Sequence, residues 1–419
     1  MFNYNISSDA CIKCAKCVPT CTIHSVNPDE VTSPRGFIAL LGEYQNGNLE
    51  LDKQVKDIFD SCFLCTNCVD VCPKAIPTDT LIENVRKDLG EKFGIAWYKK
   101  AFFYLLRNRK IMDMFFKFGY GFQSCGIKIK ENINSITLPI VKRTVPSLAK
   151  KSFLNSHPDF IDNGSDKTVA IFIGCLANYN YTNIGNSLLK VLRALDFNVF
   201  LAKSQVCCGA PAYFTGDFET VDYLSKTNIK FFETFIDRVE AIIIPEATCS
   251  AMIRVDYEHY FHDQPLWQKR VQKLGNKIFL ATEWLYQKTD LEKILEKKGQ
   301  TSSLKVTYHD PCHSRKMQGI YQEPRELIKK NYTFVEMENP NQCCGFGGVT
   351  MQSEKYHLAK KVGDIKSDII EKANSDIVSA ECSACRLQIT DSLERNKVQT
   401  VFRNPIELIA DALQNPDNI

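Results

Sequence analysis

A chain of 419 residues, 44% hydrophobic and 24% charged, has material for two or three packed domains, which excludes a disordered or low-complexity polypeptide. A net charge of +3 assigns no partner, and no apolar run approaches the ~18 residues of a membrane-spanning helix. Eighteen cysteines are about 4% of the chain, below the ~8–10% of short secreted disulfide scaffolds. Met1 to Asp9 shows neither the basic start nor the apolar stretch of a signal peptide, so metal-bound thiolates in a reducing cytoplasm are expected rather than disulfides.

Residues 1–85 carry two cysteine runs of the same spacing. Cys11, Cys14, Cys17 and Cys21 form the first; Cys62, Cys65, Cys68 and Cys72 form the second, followed by Pro73. The C-x2-C-x2-C-x3-C pattern ending in C-P is that of ferredoxins with two 4Fe–4S clusters, whose fourth cysteine serves the other cluster. The expected sets are therefore Cys11, Cys14, Cys17 with Cys72, and Cys62, Cys65, Cys68 with Cys21. Zinc ribbons use C-x2-C pairs but rarely repeat a four-cysteine run. Between the runs, Ile38, Leu40, Leu41 and then Val55, Ile58, Phe59 fall at helical spacing, with Ser33 as N-cap and Pro34 at the first helical position. A mainly helical ferredoxin is expected.

Residues 86–165 read as a basic aromatic segment and linker. From Arg86 to Lys151 there are 15 Lys or Arg against 4 Asp or Glu, among many Phe, Tyr and Trp residues. The pattern predicts helices broken near Gly119 to Gly126, then an irregular stretch containing Pro139, Pro146 and Pro158. Three uses fit: a helical bridge between domains, a docking site for a protein partner, or contact with a membrane surface. No nucleic-acid motif accompanies the charge. Cys125 falls here and reads as a small buried residue.

Residues 166–300 and 301–419 read as two copies of one α/β unit. Strands Val169 to Ile173 and Ala241 to Pro245 lead to Cys175 and Cys249; Lys305 to Tyr308 and Asp376 to Ala380 lead to Cys312 and Cys382. Cys207-Cys208-Gly209 and Cys343-Cys344-Gly345 complete the pattern, and equivalent cysteines stand 133 to 137 residues apart. Alternating strands and helices, such as the one through Ile184, Leu188, Val191, Leu192 and Leu195, imply mainly parallel sheets. Ligands are then expected past the strand C-terminal ends.

The second copy offers five thiols, Cys312, Cys343, Cys344, Cys382 and Cys385, one more than a cubane needs. An unusual cluster or an exchangeable fifth ligand follows. The first copy offers four, Cys175, Cys207, Cys208 and Cys249, with Met252 where the second has Cys385. The glycine after each cysteine pair permits the sharp turn that lets neighbours share a cluster. His309 and His313, flanking Cys312, are expected to support the ligands rather than to bind metal, although a metal or proton-transfer role stays open. Gly345-Phe346-Gly347-Gly348 is no dinucleotide fingerprint and there is no P-loop, so no NAD, FAD or nucleotide is expected on this chain.

Two ferredoxin runs followed by two Cys-Cys-Gly repeats resemble the glycolate oxidase iron–sulfur subunit family, related to the iron–sulfur component of anaerobic glycerol-3-phosphate dehydrogenase and to the cysteine-rich subunits of heterodisulfide reductases. Ser33-Pro34-Arg35-Gly36 resembles the glycolate oxidase branch. The resemblance implies a mixed fold, an N-terminal α-helical ferredoxin domain followed by a duplicated α/β cysteine-rich (CCG) domain. It also implies an electron-transfer subunit between an FAD-containing 2-hydroxy-acid dehydrogenase and the quinone pool, peripheral on the inner membrane. Five-cysteine sets of this kind resemble noncubane cluster sites; Met252 leaves the first copy open between a cubane and no cluster. Alternatives are the glycerol-3-phosphate version, a disulfide or quinone reductase working at the second copy, and a zinc-stabilised scaffold.

Overall fold

The computed structural model describes residues 2–123, 129–130, 135–138 and 143–414. Up to Gln123 every regular element is helical, as expected for the ferredoxin part. The helix Pro34–Gln45 starts where Ser33 accepts a hydrogen bond from the Gly36 N–H at 3.1 Å, with Pro34 supplying a preset φ at the first position. Asp52 caps Lys53–Asp60 in the same way. Phe37, Leu41, Val55 and Phe59 from these two helices are buried against Leu81, Ile82, Val85 and Leu89 of Thr78–Phe93, while Leu40 and Ile58 are half-buried at the edge.

The segment that follows differs from its sequence pattern. Trp97–Arg107 and Arg109–Gln123 are helices; the second includes Gly119 and Gly121, and its last described residue, Gln123, falls inside the interval from Gly119 to Gly126 where a break is expected. The stretch read as irregular contains three short antiparallel strands, β1 (Ile129–Lys130), β2 (Ser135–Leu138) and β3 (Arg143–Pro146). The tertiary fold supplies a partner the local sequence does not show: the Thr144 N–H donates to Asp391 of the last repeat at 2.8 Å. Pro146 is tolerated because it ends its strand. Cys125 lies outside the described residues.

The two later units repeat each other in topology. The first sheet is ordered β4-β6-β5-β7-β8, from Phe160–Ile161, Asn198–Leu201, Thr168–Ile171, Ile242–Ile244 and Ile278–Leu280. The second is β10-β9-β11-β12, from Thr333–Phe334, Lys305–Tyr308, Ile377–Ser379 and Val401–Arg403. All pairs are parallel except the added edge strand β4. Removing β4 leaves the same order in both, so the duplication read from cysteine offsets is a duplication of structure. Val169, Ala170, Ile171 and Ile242 to Ile244 are fully buried, the continuous apolar run that a sheet covered on both faces demands.

The repeats do not stand apart. Val169, Ile184 and Leu188 of the first share one apolar core with Val306, Ile406 and Leu408 of the second. Arg386, ion-paired within the second repeat to Glu407 at 3.1 Å, reaches across the seam to lie over the Tyr181 ring of the first at 4.3 Å. The strand C-terminal ends of both sheets, and the cysteines with them, are thereby turned toward one region.

Candidate functional site

The two ferredoxin loops have matching backbones. Lys13 and Ala15 adopt φ of 54° and 63°, and Leu64 and Thr66, at the same places in the second run, 52° and 57°. Left-handed conformations at non-glycine residues cost about 1 kcal/mol or more each and persist only where the surroundings impose them. Here they curl each C-x2-C segment so that its sulfurs converge. A cavity of about 30 Å³ is lined by Cys11, Cys14, Cys17 and Cys72, and a second of about 20 Å³ by Cys21, Cys62, Cys65 and Cys68. The fourth cysteine of each run has crossed to the other set. Cys68 lies on the wall of both cavities, so the two are neighbours. Cys14 is exposed, whereas Cys21 and Cys65 are buried. The Leu64 N–H points at Cys62 Sγ at 3.4 Å, a backbone donor of the kind that tunes bound sulfur.

In the first repeat Cys175 opens the helix Cys175–Tyr179, Cys207 and Cys208 follow β6, and Cys249 lies in Ala247–Ala251. Their thiols are in contact in the order Cys175, Cys207, Cys208, Cys249, and this contact pulls the Cys207 thiol well below its usual pKa. Gly209 has φ of 98° and Gly345 of 90°, the left-handed turn after each cysteine pair. Met252 is fully buried beside this turn and begins a π-helical stretch, Met252–Asp256.

The second repeat gathers Cys343, Cys344, Cys385 and Cys382 in one chain of thiol contacts, with Cys312 beside it. Contact with Cys343 and Cys385 lowers the Cys344 thiol to about 6, and contact with Cys385 lowers Cys382 to about 7. The Gly345 N–H reaches Cys343 Sγ at 3.4 Å. His313 Nδ1 is 3.3 Å from Cys312 Sγ. His309 is buried, its Nδ1 3.1 Å from the Pro340 carbonyl oxygen, and burial holds its pKa well below the ordinary value.

These groups are joined by contacts invisible in the linear pattern. Cys65 of the second ferredoxin cavity touches Cys343 of the second repeat, and that contact is the main cause raising the Cys65 thiol. Lys316 donates to the Cys65 carbonyl at 3.2 Å and the Asn341 carbonyl at 3.3 Å, pinning the two loops together. Thr248 Oγ1 lies 3.4 Å from Cys382 Sγ, so the two repeats' cysteine loops also meet. Around that meeting point Glu246 accepts from the Ser383 N–H at 2.8 Å and Glu381 from the Thr282 N–H at 3.1 Å; burial raises the two carboxyls to about 7 and about 8. Arg86 donates to the carbonyls of Phe214 at 2.8 Å, Phe59 at 3.0 Å and Cys62 at 2.8 Å. None of Arg86, Lys316, Glu246 or Glu381 carries a motif; only their places between motif cysteines mark them.

The donor sets fit iron–sulfur clusters. They are soft, convergent thiols in loops whose backbones are bent around a space. Comparison with known proteins agrees. Residues 7–76 match the 4Fe-4S dicluster domain, and residues 169–254 and 306–390 each match the cysteine-rich (CCG) domain. The probable glycolate oxidase iron-sulfur subunit of Bacillus subtilis is 29% identical over 92% of this chain and 89% of its own length. One subunit of the fumarate reductase (CoM/CoB) of Methanothermobacter marburgensis is 28% identical over 95% of this chain and 71% of its own. Lactate utilization protein A of Bacillus cereus is 32% identical over 54% of this chain and 92% of its own.

Proposed function

Because the chain belongs to the iron–sulfur family that includes the glycolate oxidase subunit, with a 4Fe–4S dicluster domain and two CCG domains, we propose that it relays electrons from an FAD-containing 2-hydroxy-acid dehydrogenase to the quinone pool. Cys11, Cys14, Cys17 and Cys72 would hold one 4Fe–4S cluster, and Cys62, Cys65, Cys68 and Cys21 the other. Cys312, Cys343, Cys344, Cys382 and Cys385 would hold a third cluster, and Cys175, Cys207, Cys208 and Cys249 a fourth. When bound, such clusters supply one-electron carriers with potentials set by ligands, charge and exposure. The observation that carries the reading is the continuity of the thiols: exposed Cys14, shared Cys68, then Cys65 against buried Cys343. The chain's own residues bring the cysteine sets together and bury the inner ones away from water. Lys13, Lys16, Arg35 and Lys74 rim the outer cavity and favour an acidic partner surface there.

A flavin on the partner is part of the same proposal. Anaerobic purification from the native cell, followed by addition of glycolate, lactate and glycerol 3-phosphate in turn, tests the assignment. Bleaching of the iron–sulfur absorbance by a hydroxy acid, with a co-purifying flavoprotein, is expected. Bleaching by glycerol 3-phosphate alone would move the chain to that dehydrogenase. No bleaching despite full iron would leave disulfide or quinone reduction in front, and a colourless, iron-free protein would favour the zinc scaffold.

No helix among the described residues is long and apolar enough to cross a membrane. The helices Trp97–Arg107 and Arg109–Gln123 bury Phe103, Leu106 and Met112 but leave Trp97 80%, Phe115 57%, Phe118 69% and Phe122 59% exposed. That aromatic face, with Lys100, Lys110 and Lys117, supports a peripheral seat on anionic lipid of the inner membrane. Phe118 and Phe122 lie 4.7 Å apart and should enter the headgroup layer together. Replacing both by serine removes about 3 kcal/mol of burial, so binding to anionic vesicles should fall roughly 100-fold in a flotation assay. No binding by the unaltered protein would assign the face to a protein partner.

A further inference from the structure

We propose that His309 is an iron ligand of the second repeat, a nitrogen donor that the first repeat lacks. The inference rests on the reading that the second repeat holds an iron–sulfur cluster. His309 Nδ1 lies 3.1 Å from the carbonyl oxygen of Pro340, which can only accept. Nδ1 therefore carries the ring proton, and in the neutral imidazole Nε2 keeps its lone pair. His309 is 1% exposed, and Nε2 has no hydrogen-bond partner among the described residues. A buried imidazole nitrogen without a partner forfeits its hydration, and a bound ion is one of the ways that loss is made good. The ring stands among candidate co-ligands: a ring nitrogen of His309 and the sulfurs of Cys344 and Cys385 all lie within 4.8 Å of one another. A metal-binding histidine typically donates its other ring N–H to a backbone carbonyl, which orients the ring; Pro340 does this here.

The comparison between the repeats is independent of that geometry. Register is set by Cys175 and Cys312, 137 residues apart, and it places Phe172 opposite His309. Cys249 and Cys382 place Met252 opposite Cys385. Phe172 and Met252 are both buried, at 1% and 0% exposure. Two of the three converging donors in the second repeat are thus replaced together by apolar side chains in the first. The third, Cys344, keeps its counterpart Cys208. Loss of both donors at one corner is what a missing iron position requires; a histidine that merely filled space would have no reason to change with Cys385. The second site then offers five sulfurs and one nitrogen, enough for an iron outside the reach of four cysteines.

The test is pulsed electron paramagnetic resonance of the reduced, anaerobically purified full-length protein grown with 15N-histidine, combined with iron determination. Spectra and iron content would be compared for the unaltered chain, His309→Phe, which copies the first repeat, and His313→Gln, which alters the histidine beside Cys312. Expected is a histidine nitrogen hyperfine coupling that shifts with the isotope, survives in His313→Gln, and is lost in His309→Phe together with iron. A coupling absent from the unaltered protein, or lost only in His313→Gln, overturns the assignment. So does unchanged iron in His309→Phe. Cys385→Ser separates the two levels: if it too leaves the iron content unchanged, the second repeat holds no cluster on this corner and the underlying reading fails as well. The labelled unaltered chain needs no folded variant, so the result stands even if His309→Phe is unstable.

Discussion

Cys65→Ser is expected to strip the inner ferredoxin site and isolate the outer one. Serine offers a hard, weakly acidic oxygen where iron is held by soft thiolate, so the set Cys21, Cys62, Cys65 and Cys68 should lose its cluster, about four irons per chain. The effect should exceed that of other single ligands because Cys65 also touches Cys343 and shares its loop with the Lys316 contact to Cys65 and Asn341. Iron determination checks the first consequence. Rapid-mixing absorbance checks the second: after addition of reductant, the remaining chromophore in the CCG repeats should reduce at least tenfold more slowly. Cys14→Ser, at the exposed end, should spare the inner site. Full iron in Cys65→Ser would contradict Cys65 as a cluster ligand, and unchanged kinetics would contradict Cys65 as the junction.

Arg86→Met should cost about 3–5 kcal/mol of stability, the usual penalty for removing one member of a buried charged network. The guanidinium is 2% exposed and fastens three carbonyls, those of Phe59 and Cys62 in the ferredoxin and of Phe214 in the first repeat. Methionine matches its length but leaves those oxygens buried without a donor. Arg86→Lys should recover only part, since a single ammonium cannot fan out to three diverging acceptors. Gly216→Val probes the same seam from the other side. Gly216 has φ of 87°, and a Cβ there would lie 2.4 Å from the Arg86 backbone. Urea unfolding followed by circular dichroism and by cluster absorbance reads both variants. The cluster signal should be lost at lower urea than the helical signal, because the seam opens before either half unfolds.

Much of the architecture was legible without coordinates because its signals are local. Cysteine spacing in Cys11 to Cys21 and Cys62 to Cys72 expresses the geometry of a loop only a few residues long, and four sulfurs that must meet leave little freedom in their order. Ser33 and Pro34 mark a helix start by interactions within three residues. The strands through Val169 to Ile171 and Ile242 to Ile244 were visible because a sheet covered on both faces needs an unbroken apolar run. The helix end near Gly119 to Gly126 was legible only to within a few residues, since Gly119 and Gly121 stay helical and Gln123 is the last described residue of the helix. Glycine weakens a helix by only about 1 kcal/mol, which packing elsewhere in the helix can offset. The strands β2 and β3 escaped notice because what stabilises them, Asp391, is 247 residues away from Thr144.

By itself, then, the sequence determined the helical ferredoxin, the duplicated parallel α/β unit and the cysteines available to each, since repeat offsets and loop spacings are properties of the chain taken in order. Only the tertiary structure decided that Cys65 meets Cys343, that Lys316 and Arg86 fasten the ferredoxin to the repeats, and that buried His309, its Nε2 unpartnered among the described residues, lies beside Cys344 and Cys385. The physical reason is that these contacts are made between residues far apart in the chain. They depend on how two sheets and a helical domain pack, and no periodicity or spacing records the angle at which packed bodies meet.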